Sequence, residues 1–237
     1  EARWNWNIAN SDTEDLVLLL EHPNSWHRET AARLLLERRP DDAEALLSQL
    51  FIHSIHWEGR QRALWVLEGL GLLQPKHIEA AVSDSAAAVR KQAAVLLEKH
   101  WDDCPNGQLM AKKMLVDSSP AVQLQALLSF GDRIDHADFQ LWLHVFSRSI
   151  EDKWLTQAML MAVGDDLPKL VQEFWTRGQD GNLKSMSPEK TENIYRIHHA
   201  AARHSSAETN TRQAWLQWVV QWWSETPQRY HDLGVRN

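Results

Sequence analysis

The stretch Asp84-Ser85-Ala86-Ala87-Ala88-Val89-Arg90-Lys91-Gln92-Ala93-Ala94-Val95-Leu96-Leu97 decides the fold. Asp84 and Ser85 are helix N-cap residue types. Ala93, Ala94 and Leu97 then fall on one helical face. The same arrangement recurs along the chain. Trp26-His27-Arg28-Glu29-Thr30-Ala31, Glu58-Gly59-Arg60-Gln61-Arg62-Ala63, Ala121-Val122-Gln123-Leu124-Gln125-Ala126 and Lys153-Trp154-Leu155-Thr156-Gln157-Ala158 align with it on the final alanine. The five alanines are spaced 32, 30, 33 and 32 residues apart. The next position is Ala32, Leu64, Ala94, Leu127 and Met159, and the fourth is Leu35, Leu67, Leu97, Phe130 and Ala162. Both columns are apolar throughout, as one buried face of a helix requires.

A second, shorter set of apolar segments lies between these helices: Leu16–Leu20, Ala43–Ile52, Ile78–Val82, Gln108–Val116, Phe139–Phe146 and Leu167–Trp175. The unit is therefore helix, turn, helix. The turns carry their own signals: Asp117-Ser118-Ser119-Pro120 places caps before a proline at the first helical position, and Gly69-Leu70-Gly71 is a C-cap. No stretch combines alternation with β-branched or aromatic enrichment, so strands are not expected. A single helix pair cannot bury its apolar face, whereas stacked neighbours can. The sequence predicts an all-α fold: a right-handed α-solenoid of five to six helix pairs with irregular terminal caps. Residues 1–11 form an N-terminal junction or cap, 12–177 the repeats, and 178–237 the capping helices.

Composition agrees with this reading. Nine Gly and eight Pro in 237 residues are few. That disfavours many short strands joined by tight turns. One cysteine, Cys104, excludes an internal disulfide framework, a cysteine-based zinc finger and a C-x-x-C-H haem attachment within these residues. A net charge of −7 disfavours phosphate-rich partners. No apolar run approaches the ~18 residues of a membrane span. Thirteen Trp against five Phe and two Tyr are the compositional oddity. Trp26, Trp65 and Trp154 recur within repeats. Trp215, Trp218, Trp222 and Trp223 crowd the last helix, Thr211–Ser224, as a cap or a candidate interface.

Asp84, Val89, Arg90 and Ala93 resemble the HEAT-repeat pattern of the short, roughly thirty-residue kind. In that family the Asp and Arg form a ladder between neighbouring repeats. This resemblance marks Arg28, Arg60, Asp84, Arg90 and Asp117 as ladder or capping residues. His22 and Ser54 stand where Asp would precede Arg28 and Arg60, and Gln123 stands where Arg would follow Asp117. Local capping is therefore expected more than a continuous ladder. The run from His22 to Leu35, followed by Arg60 to Gly71, is similar to HEAT segments of large exported bacterial dehydrogenase-like proteins. Those combine a quinoprotein-type β-propeller, HEAT repeats and a c-type cytochrome domain. The resemblance covers about residues 12–175 and implies a periplasmic or exported setting.

Chemistry-bearing constellations are sparse. His53 and His56 share i, i+3 spacing, but the only nearby third ligand is Glu58, a helix-start acid. Two acids before Cys104 raise a thiol's pKa, the wrong direction for a nucleophile. Asp41-Asp42 and Asp165-Asp166 sit in inter-helix loops, where N-caps belong. There is no H-E-x-x-H and no Gly-rich phosphate loop. The second helices mix Arg28, Arg33, Arg60, Arg62, Arg90 and Lys91 with Glu29, Glu37, Glu58, Glu68 and Glu98, which is not a phosphate-tracking stripe. The expectation is a non-catalytic scaffold and protein-interaction module. It needs no cofactor, metal, nucleic acid, membrane insertion or small-molecule ligand, and its partners are flanking domains or other proteins. The alternatives are a HEAT-like enzyme, such as a DNA glycosylase or a bilin-lyase-like protein, and an independent peptide-binding adaptor.

Overall fold

The computed structural model describes residues 8–135 and 138–176, together with 193, 194, 196, 197 and 199–201. Among these residues there are eleven α-helices and no strand. The helices fall into two compact units, residues 1–107 and 108–237. Of the segments the sequence reading assigns to the terminal caps, 1–11 and 178–237, residues 1–7, 178–192 and 202–237 lie outside the described residues.

The first unit contains α1 (Thr13–Leu19), α2 (Ser25–Arg38), α3 (Ala43–His53), α4 (Trp57–Leu70), α5 (Pro75–Ala81) and α6 (Ala87–Lys99). These pair as α1 with α2, α3 with α4 and α5 with α6. The pairs then stack like on like: α1 packs on α3, α2 on α4, and α4 on α6. Nearest-neighbour packing of this kind defines a helical repeat stack. A 3-10 turn, Ile8–Asn10, covers the outer end of α2. Arg38 fixes it there by donating to the carbonyls of Ser11 (2.6 Å) and Ala9 (2.9 Å).

The second unit contains α7 (Gly107–Leu115), which starts at the boundary, then α8 (Pro120–Phe130), α9 (Phe139–Ser149), α10 (Lys153–Val163) and α11 (Leu167–Thr176). α8 packs on α10, and α9 packs on both α10 and α11. Residues 193–201 are helical where described. Ile194, Ile197 and Ala201 are buried, and the amide of Asn193 donates to the Ile150 carbonyl at 3.4 Å.

The sequence columns coincide with the core. All five aligned alanines are buried, as are all ten residues one and four positions later; the least covered is Ala162, at 8% exposure. Small residues there let neighbouring helices approach. At the end of α8 the approach is closest: a Cβ on Gly131 would lie 2.2 Å from the Ala162 Cβ of α10, so only glycine fits.

The turns follow the sequence in part: Ser119 is the N-cap of α8 and Gly71 the C-cap of α4, but the N-cap of α6 is Ala86, not Asp84 or Ser85. Asp12, Asn24, Asp138 and Asp152 accept backbone N–H groups at the starts of α1, α2, α9 and α10. Asp84 and Asp117 do the same two residues on, at Ala86 (2.7 Å) and Ser119 (2.8 Å), just before α6 and α8. Pro120 is the first residue of α8. Gly71 ends α4 with φ +75°, the left-handed conformation that glycine adopts without strain.

Candidate functional site

The three repeat arginines of the first unit share one geometry. Each turns back onto the carbonyl six residues before it: Arg28 onto His22 (2.6 Å), Arg60 onto Ser54 (3.0 Å) and Arg90 onto Asp84 (2.9 Å). The guanidinium thus closes the loop between the two helices of its own repeat. Arg60 also reaches the next repeat. Its Nε and Nη2 donate to Asp84 Oδ2 and Oδ1, both at 2.7 Å, in a bidentate pair whose side chains are almost fully covered. Burial pushes the Asp84 carboxyl up, but hydrogen bonds from Arg60 and the Ala86 N–H outweigh it and hold it below the usual carboxylate range. Arg60 is raised above its ordinary value, chiefly by that same hydrogen bond.

Further polar contacts run from repeat to repeat along α2, α4 and α6. Arg62 donates to both carboxylate oxygens of Glu29, at 2.9 and 2.5 Å. Trp65 Nε1 donates to Gln92 Oε1 at 3.2 Å. Glu68 receives Lys99 on one oxygen and meets His100 Nε2 at 2.6 Å on the other. Burial would raise the Glu68 carboxyl, yet these two bonds hold it below its ordinary value. Arg39 adopts φ 48°, rare for a residue with a side chain, and donates to the Leu70 carbonyl at 2.8 Å. A cation is thereby set against the negative end of α4.

Between α2 and α4, bordered by the Glu29–Arg62 pair, lies a groove of about 370 Å³. Ala32, Leu36, Trp65 and Val66 supply its apolar lining. Glu29, Arg33, Glu37 and Arg62 form its rim, where Arg33 also pairs with Glu37 at 2.8 Å along α2. The rim carries both signs and its cations meet carboxylates. A cleft with an apolar floor and a paired-charge rim suits an apolar side chain of a polypeptide better than a phosphate backbone.

The remaining sequence candidates fall as follows. His53 ends α3 and His56 precedes α4; both are exposed and they do not share a helix. Cys104 is buried, and burial together with Asp103 and Glu79 pushes its thiol up. Among the described residues no group of three or more His, Cys, Asp or Glu is arranged to hold a metal ion, and no helix is long and apolar enough to cross a membrane. Trp215, Trp218, Trp222 and Trp223 lie outside the described residues. The repeat tryptophans divide. Trp65 lies half-buried over the groove, whereas Trp26 and Trp154 are 61% and 66% exposed at the starts of α2 and α10. Trp142, which the repeat alignment did not single out, is the largest fully buried side chain among the described residues, at 1% exposure.

The groove itself was not anticipated, although a signal for it exists. Stacking sets residues one repeat apart side by side. Glu29 and Arg62 are 33 residues apart, Trp65 and Gln92 27, and Glu68 and His100 32. Complementary polar residues offset by about one period therefore mark the second-helix face.

No family model matches this chain, and no curated protein does. Among solved structures, the chain is similar to the Escherichia coli protein YibA. The identity is 13%, the TM-score is 0.41, and the match covers 89% of this chain and 93% of that one. A likeness at that level carries no argument about function.

Proposed function

We propose that this chain is a non-catalytic scaffold that presents the α2–α4 face of its first unit to a protein partner. The groove lined by Ala32, Leu36, Trp65 and Val66 carries this reading. Cross-repeat hydrogen bonds hold Arg62 to Glu29 and Trp65 to Gln92, so these lining side chains carry little ordering cost for a docking segment. Flanking domains of a larger exported dehydrogenase-like protein are the partners that the HEAT resemblance favours. An enzyme gripping nucleic acid would need a net basic surface here, and Arg33 and Arg62 instead face Glu37 and Glu29.

The test is photo-crosslinking in cells expressing the native gene, with benzoylphenylalanine at Leu36 and, as control, at the exposed Leu109. One discrete adduct from Leu36 and none from Leu109 is expected. An adduct within the same polypeptide identifies a flanking domain, and an adduct to a separate protein identifies an adaptor role. No adduct at Leu36, or the same adducts at both positions, contradicts a docking face.

A further inference from the structure

His77, on α5, is 3% exposed, and the function above does not use it. Both ring nitrogens are engaged. Nδ1 accepts the Gln74 backbone N–H at 3.0 Å, and Nε2 lies 3.0 Å from Ser48 Oγ on α3. Because Nδ1 accepts, the neutral ring carries its proton on Nε2 and donates it to the serine. Three residues before His77, Gln74 Nε2 donates to Glu44 Oε1 of α3 at 2.5 Å. Two polar contacts therefore tie α5, only seven residues long, to α3 in the preceding pair.

We propose that His77 is an acid-sensitive latch: its neutral ring caps α5 and fastens it to α3, and protonation releases α5. An imidazolium has no acceptor, so Nδ1–H would confront the Gln74 N–H donor it now satisfies. It would also place a cation in the first turn of a helix, where the dipole opposes it. The surroundings agree. Burial, and after it Lys76, push the ring below its ordinary value, and Glu44 pulls weakly the other way. α6, packed against α5, does not supply a compensating acid: Lys91, Glu98 and Lys99 are exposed, and Arg90 turns back onto the Asp84 carbonyl.

The sign follows from linkage. The folded chain binds this proton less readily than the unfolded one. The latch is therefore fully closed above the ordinary histidine value of 6.5 and weakens as pH falls below it. One proton changes the opening equilibrium by at most about tenfold per pH unit.

Hydrogen exchange of the full chain at pH 7.5, 6.0 and 5.0, corrected for intrinsic rates, tests this. Protection of residues 74–82, relative to residues 31–38, is expected to fall several-fold by pH 5.0, and by no more than about thirtyfold for one proton. In His77→Gln, whose side chain can accept and donate without titrating, that ratio is expected to stay flat. A constant ratio in the native chain, or an equal fall in His77→Gln, overturns the proposal. Should His77→Gln fail to fold, the native ring decides. A nuclear magnetic resonance titration midpoint below 6.5 for His77 supports the latch, and one at or above 6.5 overturns it.

Discussion

Replacing Arg60 with alanine is expected to lower stability by about 3–5 kcal/mol, because it leaves the Asp84 carboxylate covered and without its bidentate partner. In a chain of this size that corresponds to a melting temperature lower by roughly 6–20 °C. The cost comes from the orphaned charge more than from the lost attraction, which gives a sharper form of the prediction. Replacing both partners, as Arg60→Met with Asp84→Leu, is expected to be less destabilising than Arg60→Ala alone. It should not recover everything. Arg60 also caps the Ser54 carbonyl and Asp84 caps the Ala86 N–H, each worth about 1 kcal/mol. The pH dependence points the same way. The Asp84 carboxyl sits below its ordinary value of 3.8, so its contribution is present above that pH and is lost as pH falls through the lowered value. Thermal melts of the native chain and both variants between pH 7 and pH 3 check all three statements. A single variant no less stable than native would remove the cross-repeat rung from the account.

Trp142→Ala is expected to cost about 3–5 kcal/mol, and Trp154→Ala less than about 0.5 kcal/mol. The two rings are twelve residues apart in one unit and differ in burial, at 1% against 66% exposure. Trp142 is enclosed within α9 of the second unit, and its Nε1 donates to the Asp135 carbonyl at 3.3 Å. Truncation would leave a cavity; the Asp135 carbonyl keeps the Asp138 N–H as a donor, so the cost is one of lost packing. Trp154 stands on the second residue of α10, its backbone N–H held by Asp152 and its ring in solvent under Lys153. Chemical denaturation of the two variants reads both numbers. Equal losses would show that tryptophan serves the same structural purpose throughout the repeats.

The core was legible because it depends on local periodicity. Ala31, Ala63, Ala93, Ala126 and Ala158 can be aligned by eye, and a residue one turn later must share their face. The loop-closing arginines were legible for the same reason: six residues separate each from its carbonyl acceptor. What lay across repeats was harder to read. Asp84 was marked, but its bidentate partner sits 24 residues upstream in the preceding repeat, where the repeat's own Asp position holds Ser54. The groove rim and the His77 latch are likewise pairings between elements some thirty residues apart. They emerge only once the stacking register is fixed. The recurrence of Trp26, Trp65 and Trp154 within the repeats does not tell which rings are buried. Trp26 and Trp154 instead follow the helix caps Asn24 and Asp152 and project outward.

The central claim is that one repeated helix surface, centred on five alanines, forms the core of both units. Placing glutamine at each of Ala31, Ala63, Ala93, Ala126 and Ala158 in turn, and at the exposed helical residues Ala45 and Ala80, tests it most directly. The account predicts that each of the five lowers unfolding free energy by about 1–3 kcal/mol through overpacking, while Ala45→Gln and Ala80→Gln stay within about 0.5 kcal/mol. A column alanine that accepts glutamine as readily as the two controls do would contradict it.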